Sequence, residues 1–474
     1  MQAVSVQVTS LSRRQTYLWK WLHTGQIEDV RCMYMLEGMF DPGHFQQAFQ
    51  QCIENYDILR VTFSVLPGMD IPVQIADYNR EIPCPLVSLE GLDAAIQRSI
   101  LDTNWQNLQH YSFDLEQGPL LNALLVRLDA CTHLLLLSCS AMCADICTLK
   151  HLVSKLFYIY AAFESGERYS YEEDVLQYED VSSWQQELLA SESAMEQQEL
   201  WRAFDLANMA ALPLPLLNEQ GNGQHGPVHS LSDAFPVQKI SVALDESFQQ
   251  HLHALSDRIQ VSTEVCLLTC WQILLWRLTD VAPLIGVACD GRPYEELITA
   301  PGPHSRNIPF TLSLDGKMSF ERTLARTSVA MQKMKENQLY FDWEALAHEA
   351  ELQEHLFPLA FSYEVWPAQW QAGSLLVRVV EQAGGSEPSQ LHLQAIQLGE
   401  QVHLHLQYQP AAFSAHQARR LTEALETVLP QLLSAPARPV QSLTLLSLSQ
   451  QQQQVQRLRG PQRAWPLVPL HQLF

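Results

Sequence analysis

The sequence predicts a mixed α/β fold divided into two comparable lobes, and three observations carry that expectation. Helical and strand periodicities alternate along the chain. A connector rich in Gly, Pro, Asn and Ser interrupts them near the middle. The length of 474 residues, with 47% of them hydrophobic, is enough for about two or three domains.

Taken in order, Phe45, Phe49, Ile53 and Tyr56 share one helical face, as do Leu149, Leu152, Val153, Leu156 and Tyr160. Both read as amphipathic helices covering a sheet. The leucine run Leu134 to Leu137 and the alternating Ile240, Val242 and Leu244 read as strands. So does "VHLHLQYQ", with Val402, Leu404, Leu406 and Tyr408 on one side and His403 and His405 turned toward solvent on the other. The stretch "TEVCLLTCWQILLWRL" from Thr263 to Leu278 is apolar nearly all round, which predicts a helix buried between layers with Ser262 or Thr263 as N-cap. The pattern lapses at 213–236 and again from Ser447, where glutamines precede "RLRGPQRAWPLVP". The expected organisation is therefore an N-terminal lobe over 1–212, a connector over 213–236, a C-terminal lobe over 237–446 and a linker over 447–474.

The charge balance narrows the partners. Twenty-nine basic against 52 acidic side chains give a net charge of −23, with no Lys/Arg-rich run, which argues against nucleic acid and anionic membrane. The N-terminal residues lack the basic and apolar regions of a secretion signal, and no window of about 18 residues is uninterruptedly apolar. A cytoplasmic protein is expected. Cysteines such as Cys52, Cys266 and Cys270 lie within apolar periodic segments, as buried free thiols do.

An ordered set of short motifs then comes into view. Ser12, Gln15 and Trp19 form S-x-x-Q followed by an aromatic; "NYDILRVTF" carries Leu59, Arg60 and Phe63; and "FDLEQGPLL" runs from Phe113 to Leu121. "LQYEDVSSWQ" supplies Tyr178, Asp180 and Trp184, "IGVACDGRPYEEL" supplies Gly286, Gly291 and Arg292, and "ENQLYFDWEAL" follows. In this order they resemble a condensation domain of a non-ribosomal peptide synthetase. The resemblance covers nearly everything from Ser12 onward and implies two chloramphenicol acetyltransferase-like lobes in a V-shaped arrangement with a central cleft or tunnel. It also implies upstream and downstream carrier protein domains, which present substrates on phosphopantetheine, with no cofactor bound by the domain itself. "PLHQLF" is similar to the lead-in to an adenylation domain, so a downstream adenylation domain is a further expected partner.

The family's H-H-x-x-x-D-G motif aligns with "SAMCADI". Ser140 and Ala141 stand in the places of the histidines, Asp145 is kept, and Ile146 replaces glycine. The resemblance gives Asp145 a mainly architectural role paired with Arg60, since a buried carboxylate needs a partner to offset several kcal/mol of desolvation, by order of magnitude. Without the second histidine the site lacks a group that typically contributes about 10²–10⁴ in rate. Proximity alone can still supply roughly 7–11 kcal/mol against an already activated thioester. The candidate site is therefore Ser140, Cys143 and Asp145 for chemistry, with Arg60, Ala141 and Ile146 shaping it.

Cys143 would act as a nucleophile only if its thiolate were stabilised, and no basic residue adjoins it in sequence. Cys143, Cys147 and His151 have the spacing of one helical stripe, but with no fourth ligand nearby core packing is favoured over zinc, and no metal site is expected. His304 is read as a surface-loop residue, with a displaced base as the alternative. "AGGSEPS" around Ser386 superficially resembles a phosphopantetheine attachment site and reads better as a hairpin turn. Two functions remain: an acyl-transfer domain forming an amide, an ester or a ring, and a catalytically inactive platform that recruits a carrier protein or a tailoring enzyme acting in trans. A free-standing small-molecule acetyltransferase is a weaker third.

Overall fold

The structure, a computed structural model, describes residues 6–22, 27–167, 175–202, 204, 237–342, 357–385 and 387–446. The expected connector at 213–236, the linker from Ser447 and Ser386 lie outside these. In chain order the first half contributes β1 (Val6–Ser10), α1 (Arg13–Leu22), β2 (Val30–Gly38), α2 (Pro42–Glu54), β3 (Val61–Ser64), β4 (Val73–Asp77), β5 (Leu86–Ser88), α3 (Ala94–Gln109), β6 (Leu121–Arg127), β7 (Thr132–Cys139), α4 (Ile146–Glu164), α5 (Tyr178–Ala190) and α6 (Glu192–Arg202). The second half contributes β8 (Gln238–Val242), α7 (Glu246–Ile259), α8 (Thr263–Thr279), β9 (Ile285–Cys289), β10 (Arg306–Phe310), α9 (Phe320–Glu336), β11 (Leu359–Trp366), β12 (Gln369–Ala372), β13 (Leu375–Ala383), β14 (Leu391–Leu398), β15 (Gln401–Tyr408) and α10 (Ala415–Ser434). This is the expected mixture of helices and sheets.

The chain divides into two compact units. The first takes the described residues up to Met195 and adds two segments from the second half of the sequence, Asp290–Arg306 and Trp366–Glu387. Its main sheet runs β12-β13-β2-β7-β6-β5, with β1-β4-β3 as a smaller sheet. The added hairpin β12–β13 joins because β13 pairs antiparallel with β2 from Leu375↔Gly38 to Ala383↔Arg31. On the other side of β2, Val30 faces Cys139 and Glu37 faces Thr132 of β7. Leu134, Leu135, Leu136 and Leu137 of β7 are all buried, as the unbroken leucine run of a two-sided strand requires. The predicted helical faces are present in α2, where Phe45, Phe49 and Ile53 are buried, and in α4, where Leu149, Leu152, Val153, Leu156 and Tyr160 are buried; Tyr56, expected on the first face, lies beyond the end of α2 at the start of a 3₁₀ turn. Asp41 caps α2 by accepting from His44 N at 2.9 Å.

The second unit has one sheet, β10-β9-β11-β14-β15-β8. Leu391, Leu393 and Ala395 of β14 join Val402, Leu404 and Leu406 of β15 in its core, together with α7, α8 and α10. Helix α8 is buried on nearly every side, and its cap is Ser262, whose Oγ accepts from Val265 N at 3.3 Å. On the sheet's other face a polar ladder runs across the strands. His392 Nε2 lies 2.8 Å from Ser362 Oγ, Gln407 donates to Gln394 at 3.0 Å, and His405 Nδ1 lies 3.2 Å from Ser241 Oγ. His403 is solvent-exposed as expected, whereas His405 is half-buried in this ladder and burial lowers its pKa to about 4.

All ten cysteines are unbridged; Cys131 is exposed, Cys147 is partly buried and the others are buried. Burial raises the thiol pKa of Cys52 to about 12 and that of Cys266 to about 11, as expected for thiols used as packing groups. Among the described residues no single helix is long and apolar enough to cross a membrane.

Packing at α8 sets a measurable cost. Leu274, fully buried in that helix, should lose about 2–5 kcal/mol of unfolding free energy in Leu274→Ala. Val329 on α9, 70% exposed, should change by no more than about 0.5 kcal/mol on truncation to alanine. Urea midpoints at unchanged slope measure both, and equal effects would contradict the assigned burial.

Candidate functional site

The strand β7 ends at Cys139, and the next six residues form the turn that leads into α4. Ser140 N donates to Leu120 O at 2.9 Å, extending the β6–β7 pairing by one residue. Its carbonyl then accepts from Cys143 N at 2.8 Å and Ala144 N at 3.1 Å, which winds the chain into a compact turn. From α1, Gln15 Nε2 donates to Met142 O at 3.1 Å and anchors the turn from outside. Gln15 is itself held by a reciprocal cap with Ser12, whose Oγ accepts from Gln15 N at 2.9 Å and lies 2.6 Å from the Tyr178 hydroxyl. The S-x-x-Q residues and Tyr178 thus act as braces for the turn.

Asp145 terminates the turn as N-cap of α4, with Oδ1 accepting from Thr148 N at 2.8 Å. Arg292 meets the carboxylate with a fork, Nη1 to Oδ2 at 2.8 Å and Nη2 to Oδ1 at 3.0 Å. Oδ2 also accepts from His304 N at 3.0 Å, Ser305 N at 2.9 Å and Ser305 Oγ at 2.8 Å. The Arg292 and Asp145 side chains are almost completely buried, at 1% and 5% exposure. Burial alone would push the Asp145 carboxyl up, but the Arg292 guanidinium and the surrounding donors outweigh it and hold the acid well below the usual carboxylate range. Arg292 is aimed by the turn after β9, where Gly291 has φ +72° and a Cβ would come 2.3 Å from the His304 carbonyl oxygen. Its Nε and Nη1 donate to Ala300 O and Asp290 O.

The family resemblance pairs Asp145 with Arg60, and here the structure corrects the expectation. Arg60 lies in the 3₁₀ turn Asp57–Arg60, where its guanidinium donates to Glu54 O and Tyr78 O at 3.0 Å each and to the Asp57 carboxylate at 2.8 Å. It ties a local turn to the end of β4, and the role assigned to it falls to Arg292, 147 residues from Asp145.

The remaining candidates separate clearly. Cys143 is fully buried, and its thiol is raised well above the ordinary value first by burial and then by the neighbouring Cys139 and Asp29, so it holds no thiolate for attack. It also lies in the turn before α4, not on it, so Cys143, Cys147 and His151 do not form one helical stripe. Among the described residues no group of three or more His, Cys, Asp or Glu could hold a metal ion. His304 is buried rather than on the surface, with Nε2 donating to Pro301 O at 3.0 Å. Burial, followed by the Arg292 charge, lowers its pKa to about 3, so it is neutral and a poor base. Ile146 opens α4, partly exposed. Ala141 and Ala144 line a narrow crevice, partly open to solvent and with room for little more than a water molecule, together with Leu18, Ile27, Asp145, Pro303, Ser305 and Gly385. On its wall Arg14 Nη1 pairs with Glu387 Oε1 at 2.5 Å.

One residue that no motif or period singles out belongs to the site. Asp29, immediately before β2, accepts from Ala141 N at 2.9 Å. Burial raises its carboxyl pKa to about 6, against the lowering effects of the Ala141 amide, Arg31 and Ser140. The register explains its position: with Val30 opposite Cys139, the residue before β2 comes beside the residue after β7.

The pairing of Asp145 with Arg292 has two consequences. Arg292→Met leaves a buried, uncompensated carboxylate and should cost about 3–5 kcal/mol. Because the folded-state pKa of Asp145 is depressed, the folded chain binds fewer protons than the unfolded one below pH about 4. The stability it contributes is present above the unfolded value and lost as pH falls toward the folded one. Acid titration followed by tryptophan fluorescence should show this loss in the wild type and a smaller one in Asp145→Asn; identical acid limbs would contradict the pair.

Comparison with known proteins gives the family and the fold. The family model described as Condensation domain matches residues 5–455. A linear gramicidin synthase of Brevibacillus parabrevis is 25% identical over 457 residues, covering 94% of this chain but only 9% of its own length, so the chain spans about a tenth of that relative. Among solved structures, the condensation domain from Monacolin K polyketide synthase MokA is similar with a TM-score of 0.76 at 17% identity, over 92% of this chain and 99% of that one. The complex of the X-domain and OxyB from teicoplanin biosynthesis is similar with a TM-score of 0.70 at 18% identity, over 93% and 96%.

Proposed function

The chain belongs to the Condensation domain family, and from that premise we propose that it joins two acyl substrates carried as phosphopantetheine thioesters on neighbouring carrier domains of a peptide synthetase. The observation that carries this reading is the intact turn. Asp145, Arg292 and their donors fix the turn that sets two small residues, Ala141 and Ala144, along a narrow crevice partly open to solvent. Ser140 and Asp145 belong to this site in different capacities. Asp145 keeps the turn's shape, since both its oxygens are fully engaged, and Ser140 is the polar group beside the position vacated by histidine. Catalysis by such a site rests on proximity: a nucleophilic amine or hydroxyl is held against a thioester that is already activated. Carrier domains and a following adenylation domain are the partners this function requires.

The second reading, a platform without chemistry, draws on the absence of any imidazole in the turn and on the inert Cys143. The similarity to an X-domain solved with OxyB makes a tailoring enzyme the partner to test for it. The two are separated by loading donor and acceptor carrier proteins with synthetic acyl and aminoacyl phosphopantetheine and following the acceptor by mass spectrometry. A joined product from the wild type is expected, lowered in Ser140→Ala and abolished in Asp145→Ala by collapse of the turn. Absence of product with every acceptor would leave the platform.

A further inference from the structure

The turn retains its frame and has lost the family's proton handler, so any reaction there needs another acceptor. Asp145 cannot serve: its two oxygens take bonds from Arg292, Thr148, His304 and Ser305, and its proton affinity is low. Cys143 and His304 are buried and hold their neutral forms. One carboxylate next to the turn differs from all of these. We infer that Asp29 is the proton acceptor of this site, brought by the start of β2 beside the backbone of the residue that stands in the second histidine's place.

Three observations converge on it. Its carboxylate is fixed by the backbone N–H of Ala141, the residue in the second histidine's place, at 2.9 Å. Ser140, in the first histidine's place, follows Cys139, the residue that faces Val30, and its hydroxyl favours the ionised form of Asp29; Ser140 Oγ itself accepts from Met142 N at 3.4 Å. The strand end that carries Asp29 is held in place, since Gly385 N donates to Glu28 O at 3.1 Å and Val30 is already paired with Cys139. Ala141 bridges the acid and the pocket: its amide holds Asp29, and the residue lines the open wall.

The titratable and charged groups around Asp29 are Arg31 and Glu28 from its own segment and the thiols of Cys139 and Cys143 from β7 and the turn. The thiols stay neutral, with Cys139 and Cys143 both raised by burial. With its pKa raised to about 6, Asp29 is mostly ionised at neutral pH and yet a stronger base than an exposed aspartate. The step it would assist balances without a further reagent. The acceptor's amine or hydroxyl attacks the thioester carbonyl carbon, forming the new C–N or C–O bond, and its proton passes to the Asp29 carboxylate. When the tetrahedral intermediate collapses, the C–S bond breaks and the departing phosphopantetheine sulfur takes that proton, which returns Asp29 to its ionised form.

This inference rests on the acyl-transfer reading, and the test keeps the two apart. Asp29→Asn preserves an oxygen to accept from Ala141 N, so the turn keeps its shape while the base is removed. In the carrier-protein assay it should lower the single-turnover rate by about a hundredfold or more, within the range of about 10²–10⁴ that a positioned base contributes. The wild-type rate should rise with pH through about 6, following ionisation of Asp29. Ser140→Ala removes a hydroxyl that favours the ionised form, so it should move this acid limb to higher pH, a change that loss of packing alone would not produce. Carboxyl-carbon NMR, comparing wild type with Asp29→Asn, should assign one titration near pH about 6 to Asp29 whether or not product forms. No product from the wild type with every carrier pair would overturn the acyl-transfer reading and this inference with it. Product formed at the same rate and with the same pH profile by Asp29→Asn, or an Asp29 that titrates in the ordinary carboxylate range, would overturn this inference alone.

Discussion

The buried carboxylate of Asp145 is the constraint on which the rest of the site depends. Removing one carboxylate from water costs several kcal/mol even after relaxation, by order of magnitude, and nothing on its own turn can offset that. The offset is Arg292, delivered by a glycine turn after β9, with further donors from Thr148, His304 and Ser305. Meeting that demand explains why Asp290–Arg306 folds with the first half of the chain and why Gly291 adopts positive φ. It also explains why the turn survives although the residues that elsewhere do its chemistry are gone. A carboxylate engaged on every side is a poor base and a good cornerstone, and the two properties have one cause.

The periodic elements were legible because periodicity is a local signal. A strand buried on both faces must be apolar throughout, as Leu134 to Leu137 are, and a helix against a sheet must repeat every three or four residues, as α2 and α4 do. The motif residues likewise meet around one turn, because Ser12, Gln15, Tyr178 and Arg292 all bond to it or to one another around it. What failed was pairing at a distance. The resemblance points to Arg60 alone, and only the path of the chain after β9 brings Arg292 to Asp145 in its place. His304 was misplaced for the same reason: its loop composition suggests exposure, while its backbone N–H is used by Asp145 and buries it. Asp29 carried no signal at all, since an acidic residue before a strand is ordinary until the register brings it beside Ser140.

The two aspartates of the site illustrate how environment divides one functional group into two roles. Both are largely removed from water, which by itself raises the pKa of each. Asp145 meets a full guanidinium fork and five further hydrogen bonds, and the balance falls far on the ionised side. Asp29 meets one amide, one hydroxyl and the charge of Arg31, and burial wins. Holding a turn rigid favours the first environment and exchanging a proton near neutrality favours the second. Their separation across one short turn is the arrangement that an acyl-transfer site lacking histidine would need.

That separation bears on how a site of this kind can change its residues without losing its shape. An imidazole at position 141 and the carboxylate of Asp29 would approach the turn from different segments, one from the turn after β7 and the other from the residue before β2. Replacing the first by alanine frees the volume without touching the Ala141 N–H, which can then be used to orient the second. Because the Asp145–Arg292 pair fixes the turn independently of either group, the base can change without refolding of its support. If Asp29 takes the proton, rigidity and proton transfer rest on separate residues here, and a change in the second need not disturb the Asp145–Arg292 pair.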